Sequence, residues 1–288
     1  MMRPLARLRD CFMSSFVYRL TAFLRFWAAA RTVHRVHSPL AFAWAHAVLE
    51  DQRHYYAFDD IEALRRQMCA SPLQLDMEDY GAGEDEVPLL RRVPLRRLAR
   101  RSSSTALQGR WLFRTAQWLR PLRVLEMGTS LGIGTAYLAA GAGKQARLLS
   151  LEGCPTCARI ARTHLDLLHL AETVRIYAGP FARTLPAALE ELGGLDLVFF
   201  DGHHRAAPTL TYWDQCLPYV HERSVFVFDD IYWSAEMRDT WQRIQAHPRV
   251  RLTLDCFELA LVFFDPAVRE KQHFRLVPTQ WKPWERLF

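Results

Sequence analysis

Apolar and polar positions change rhythm part-way along the chain. Over 1–117 the apolar residues recur at helical spacing, without long β-branched runs, and turn formers interrupt them at Ser38-Pro39, Ser71-Pro72, Gly81-Ala82-Gly83 and Val87-Pro88. This predicts a helical N-terminal region over 1–105, with a charge-rich middle, 71–104, that reads as a loop or lid. After Pro121 short apolar runs alternate with longer amphipathic stretches. The runs 123–127, 147–151, 174–177, 195–200 and 224–228 predict strands, and helices begin near Ile133, Pro155, Phe181 and Ala207. Such alternation predicts a parallel sheet with right-handed crossovers and helices on both faces. Two further β-like runs, 251–256 and 259–264, are separated only by Phe257 and Glu258 and predict a hairpin. The expected fold is thus α/β: a Rossmann-like, doubly wound, mostly parallel sheet with a terminal antiparallel strand, over 106–268. A C-terminal tail, 269–288, follows it.

The most informative stretch is Val124-Leu125-Glu126-Met127-Gly128-Thr129-Ser130-Leu131-Gly132-Ile133-Gly134-Thr135. A buried strand ends in an acid, and a glycine-bearing turn then opens a helix whose free N–H groups face a ligand. The spacing Glu-x-Gly-x-x-x-Gly-x-Gly differs from the Gly-x-Gly-x-x-Gly pyrophosphate fingerprint, which disfavours a nicotinamide-dependent oxidoreductase. S-adenosylmethionine has no phosphate to cradle; its carboxylate suits the N–H groups of the turn, Thr129 and Ser130 included, and its cationic end suits Glu126. The next strand ends at Glu152, where a carboxylate can accept from both ribose hydroxyls, as the corresponding acid does in dinucleotide sites.

On these motifs residues 106–265 resemble class I S-adenosylmethionine-dependent methyltransferases, and within them the catechol-type O-methyltransferases. The resemblance implies that Glu126, Gly128 and Gly132 line the methionine end and that Glu152 holds the ribose. It places Gly179, in Gly179-Pro180-Phe181, beside the adenine, where proline replaces the polar residue the family often carries. The similar acid-glycine run Glu78-Asp79-Tyr80-Gly81-Ala82-Gly83 lacks a crossover helix after it and reads as a loop over the substrate.

Two more strands end in acids, at Asp201 and at Asp229-Asp230. Because ligands bind at the carboxyl ends of strands in open α/β sheets, these three carboxylates are expected to face the crevice and to hold Mg²⁺ or another divalent cation. Asp201 also borders the expected cofactor site. The resembling family has Asp, then Asp-Asn, in these places, so Asp230 stands for an asparagine. His204, three residues after Asp201, occupies a position where that family commonly has a lysine base, and its ordinary pKa near neutrality suits proton removal from a hydroxyl; His203 is the alternative. Tyr212, Trp213, Tyr232 and Trp233, and more remotely His37, His54, Tyr55 and Tyr56, are candidates to wall a planar acceptor or to pack in the core.

Composition narrows the alternatives. With 288 residues and 50% apolar content the chain can bury a large core. Its formal charge of +6 is concentrated before position 125, in pairs such as Arg91-Arg92, Arg96-Arg97 and Arg100-Arg101. A nucleic-acid methyltransferase or binding protein would use such a region, but the chain lacks the Asn-Pro-Pro-aromatic or Asp-Pro-Pro-aromatic motif for base amines, which favours a small-molecule acceptor. The segment 11–30 is apolar, but Arg19 and Arg25 would be costly at a bilayer centre. Phe16, Leu20, Phe23, Leu24 and Trp27 instead describe an amphipathic helix that packs on the protein or lies on a membrane surface, the latter also suiting a non-enzymatic membrane scaffold. Six irregularly spaced cysteines argue for a reducing, cytoplasmic compartment. Cys154 and Cys157 lack a second pair for zinc and read as thiols of a first helical turn.

Overall fold

The computed structural model describes residues 4–79, 89–101, 104–202 and 205–287. The N-terminal region comprises α1 (Pro4–Ala29), α2 (Pro39–Val48), α3 (Tyr56–Ala70), β1 (Gln74–Asp79), β2 (Leu89–Pro94) and α4 (Leu95–Arg101). The strands β1 and β2 form an antiparallel hairpin with Gln74 opposite Pro94, so the expected loop over 71–104 is in part a ribbon leading into a helix. Alternation around the polar Asp76 and Glu78 was too weak a signal to distinguish a solvated ribbon from a loop. The run at Tyr80-Gly81-Ala82-Gly83 lies outside the described residues.

The remaining elements are α5 (Ala106–Leu119), β3 (Arg123–Met127), α6 (Ile133–Ala142), β4 (Arg147–Glu152), α7 (Pro155–Leu167), β5 (Val174–Ala178), α8 (Phe181–Leu192), β6 (Leu195–Phe200) and α9 (Ala206–Cys216). They continue through β7 (Val220–Asp229), α10 (Ala235–Ala246), β8 (Leu252–Asp255), β9 (Leu259–Phe263) and β10 (Gln272–Arg275). The sheet order is β10-β8-β9-β7-β6-β3-β4-β5, with β9 antiparallel to both its neighbours and every other pairing parallel. This is the expected doubly wound sheet, with one addition. The expected C-terminal tail, 269–288, is tied to the rest of the chain: β10 closes the sheet edge, Lys282 Nζ donates to Ala30 O at 2.6 Å, and Glu285 accepts from Thr32 N at 2.8 Å.

The central strands are nearly all apolar because both faces are covered. Phe26 of α1, Leu185 of α8, Trp213 of α9 and Trp241 of α10 pack on one face with Phe226 and Phe228. Trp44 of α2, Trp111 of α5 and Leu138 of α6 pack on the other with Val124, Leu197 and Val227. Trp213, offered by sequence as a pocket wall, is 2% exposed and belongs to this core. Among the described residues no helix is long and apolar enough to cross a membrane.

Candidate active site

The turn after β3 and the acid ends of β4, β6 and β7 converge on the carboxyl rim of the sheet. Glu126 is fully buried, and its Oε2 accepts from Thr135 Oγ1 and Ser150 Oγ, both at 2.6 Å. The Thr129 and Ser150 hydroxyls lie 2.5 Å apart, so Thr129 braces the same network through its side chain. Among the described residues Glu126 Oε1 is buried without a hydrogen-bond partner, as is Ser104 Oγ nearby, which stands 3.1 Å from where a Cβ on Gly134 would lie. Burial pushes the Glu126 carboxyl up to about 7, against the pull of its two hydroxyl donors. An unpartnered buried acceptor is costly unless a donor reaches it, and a cationic ligand group would serve.

The turn itself is dictated by backbone approach. Gly128 has φ +110°, and a Cβ there would lie 2.4 Å from the Asp201 carbonyl oxygen. The clash is with protein rather than with ligand space: Asp201 N donates to Met127 O at 2.9 Å, lashing the ends of β3 and β6 together. Gly132, at φ +83°, has Ala161 of α7 3.2 Å from the place of its absent Cβ. Glu152 holds the next loop: its Oε2 accepts from Ser130 N at 2.7 Å and its Oε1 from Cys154 N at 2.8 Å. Burial raises its carboxyl to about 7 as well. Gly179 has φ +133° and donates its N–H to Glu152 O at 2.8 Å, which sets the end of β5 beside that carboxylate. Cys154 and Cys157 are buried free thiols at the start of α7, as their spacing suggested.

On the β6–β7 side, burial and then the Asp229 charge push the Asp201 carboxyl well above its ordinary value, while burial and then the Asp230 charge push Asp229 up to about 7, against the pull of the hydrogen bond it shares with Asp201. Such a pair shares a proton unless a cation replaces it. Asp229 Oδ1 also accepts from Gln108 Nε2 at 2.9 Å. Gln108 is at the third position of α5, where its Oε1 accepts from Thr105 N at 2.7 Å while Thr105 Oγ1 accepts from Gln108 N at 3.2 Å. One capping box thus both starts a helix and tethers an acid.

Asp230, with φ 53°, pairs with Arg19 of α1 at 3.6 Å, and the same guanidinium lies 5.4 Å over the Trp233 ring. Of the three acids expected to hold a cation, Asp201 and Asp229 face each other and Asp230 pairs with Arg19, and among the described residues no group of three potential ligands surrounds one point. His203 and His204 lie outside the described residues.

The aromatic candidates divide. Tyr232 is buried against Phe26 and Phe257, Trp233 is half exposed, and Tyr212 contacts Phe181 at the start of α8. Tyr55 packs at a tilt against Phe58 and Phe113 and donates to Gln117 at 2.8 Å; His54 pairs with Asp59 on the surface, and Tyr56 is exposed. Sequence reasoning missed Gln108, Ser104, Ser150, Thr135 and, as a site residue, Arg19. The Thr-x-x-Gln spacing signalled the cap, but nothing local signalled its reach to Asp229.

Comparison with known proteins agrees with this geometry. Residues 125–231 match the family model described as a methyltransferase domain. A stretch of 101 residues is 41% identical to catechol O-methyltransferase of Mycobacterium tuberculosis, covering 35% of this chain and 45% of that protein, so the match spans less than half of the relative's length. Among solved structures, cofactor-bound Rv0187 from MTB superposes with a TM-score of 0.51 at 29% identity, covering 57% of this chain and 82% of that one. The Bacillus cereus O-methyltransferase in complex with SAH gives a TM-score of 0.54 at 17% identity, covering 74% and 92% of the two chains. The segment 125–231 thus matches a methyltransferase-domain model, and the doubly wound sheet around it shares the fold of that O-methyltransferase structure.

Proposed function

We propose that the protein is an S-adenosylmethionine-dependent methyltransferase that methylates a hydroxyl of a small molecule. One observation carries this reading: Glu126, beneath a glycine turn at the strand ends, keeps a buried oxygen without a partner inside a domain that matches a methyltransferase model. S-adenosylmethionine, when bound, supplies an electrophilic methyl group. Glu126 binds its amino group, Glu152 holds its ribose hydroxyls, and Gly179 leaves room beside its adenine; the N–H groups of Gly128, Thr129, Ser130 and Gly132 are spent inside the protein, on Leu151 O, Glu152 and Thr129 O, and shape the turn rather than receive the ligand. The Asp201–Asp229 pair orients the acceptor hydroxyl, and His204, the base proposed from sequence, takes its proton.

Two facing buried carboxylates also fit a divalent cation, which would act as a Lewis acid toward the acceptor oxygen. Asp201 and Asp229 would hold it, and Asp230 would join only by releasing Arg19. Val17, Leu20 and Leu24 on the exposed face of α1 support a peripheral membrane contact, for which sedimentation with anionic vesicles is the test.

Calorimetric titration of the full chain with S-adenosylhomocysteine should give one saturable site, and labelled methyl transfer should follow with a panel of phenols and catechols. Absence of cofactor binding would sink the proposal. An increase in melting temperature on adding Mg²⁺ or Mn²⁺, lost in Asp229→Ala, checks the cation.

A further inference from the structure

Arg31, Arg238 and Arg275 line one cleft of about 320 Å³, with Tyr232 and Trp241 among its walls and Asp255 as the one carboxylate of the lining among the described residues. Its volume falls at the lower end of the roughly 300–1,000 Å³ usual for small-molecule sites. Distant parts of the chain build it. Arg31 follows α1, and its N–H donates to Arg275 O at 2.8 Å, which fixes both residues at the end of the edge strand β10. Arg238 arrives from α10. Asp255, 4% exposed, ends β8; its Oδ2 accepts from Tyr232 Oη at 2.5 Å and lies 3.8 Å from Arg275, and its Oδ1 accepts from Phe257 N at 3.0 Å. Three arginines therefore line a cleft whose one carboxylate, among the described residues, is already engaged.

Position adds a second argument. The strands β8 and β10 run parallel to β7, because β9 is antiparallel to both β7 and β8 and β10 is parallel to β8. Asp255 and Arg275 thus stand on the same carboxyl rim as Asp229, the rim at which open α/β sheets bind ligands. Tyr232 lies only two residues beyond Asp230 and lines the cleft, so the segment carrying the acids also forms one of its walls.

We propose that this cleft is a second binding site, for a small anion that carries at least two negative charges. Guanidinium forks match the paired oxygens of carboxylates and phosphates alike. The site is separate from the cofactor turn and does not depend on the methyl-transfer reading.

The test titrates the full chain calorimetrically, in low-salt buffer free of phosphate, with phthalate and separately with pyrophosphate. Arg31→Ala/Arg238→Ala is the variant of choice, since it leaves the Arg275–Asp255 pair in place. Saturable binding of phthalate, weakened at least tenfold in the double variant with unchanged affinity for S-adenosylhomocysteine, is the expected result. Saturable binding of pyrophosphate instead, equally lost in the variant, supports the site and assigns phosphate as the recognised group. No saturable binding of either probe, or equal binding by wild type and variant, overturns the proposal. Loss of S-adenosylhomocysteine binding in the variant would overturn its separateness from the cofactor site.

Discussion

The two halves of the carboxyl rim are built differently. On the β3–β4 side Glu126, Thr129, Thr135, Ser150 and Glu152 bond one another and the intervening turns, all within a short stretch of chain. On the β6–β7 side the acids depend on partners from far away: Gln108 is 121 positions before Asp229, and Arg19 comes from α1. A crossover unit that positions its own polar groups can hold an invariant cofactor whatever surrounds it. An acid cluster positioned by other elements changes its geometry when those elements change, which, on the proposed reading, suits the side that would fit an acceptor.

The largest test of this contrast is Gly128→Val. Its side chain would meet the Asp201 carbonyl in a backbone conformation valine rarely adopts, so both halves of the rim should fail together. We expect a loss of roughly 3 kcal/mol or more in denaturant unfolding, with cofactor binding abolished. A stable variant that bound S-adenosylhomocysteine normally would refute the junction between the two sides. Glu152→Ala should act on the cofactor side alone, weakening S-adenosylhomocysteine at least tenfold, about 1.4 kcal/mol, in calorimetry. Gln108→Ala should do the reverse: about 1 kcal/mol of stability is lost with the cap, and methyl transfer falls while cofactor affinity holds.

A pH titration sharpens the comparison. Glu126 has its carboxyl raised from 4.5 to about 7, so the folded chain holds that proton more tightly than the unfolded chain. Its contribution therefore makes cofactor-free stability fall as pH rises from about 4.5 to about 7, and Glu126→Gln should lessen the slope of that part of the profile in thermal melts, Glu152 and Asp229 keeping the rest. A profile unchanged by the substitution would show that Glu126 is not the titrating group. Arg19→Ala should give the smallest change, under about 1 kcal/mol, because its pair with Asp230 is partly exposed. A larger loss, measured by unfolding, would make α1 integral to the rim rather than laid upon it.

Sequence legibility followed the same division. The β3–β4 unit could be anticipated because its chemistry sits on consecutive motifs: β3 runs over Arg123–Met127 as expected, and Glu126 and Glu152 occupy the carboxyl ends of adjacent strands. Asp201 and Asp229 were legible as acids that end strands. Their partners were not, since Gln108 looks like any capping residue and Arg19 like one more charge on an amphipathic helix. The 74–94 hairpin and β10 were missed for a related reason: short polar strands at a margin carry little apolar periodicity, and β10 is recognised by its partner β8 rather than by its own residues.

The clasp between Lys282 or Glu285 and the residues after α1 bears on how the protein is made. Its hydrogen bonds join positions 252 and 253 residues apart, so they cannot form until nearly the whole described chain has left the ribosome. Until then α1 has no clasp, while the apolar face that carries Ala22 and Phe26 awaits Phe257 and Tyr232. Nascent chains halted before Phe257 should consequently keep α1 accessible to protease and to hydrophobic chaperone surfaces, even after the β3–β4 unit has had time to collapse.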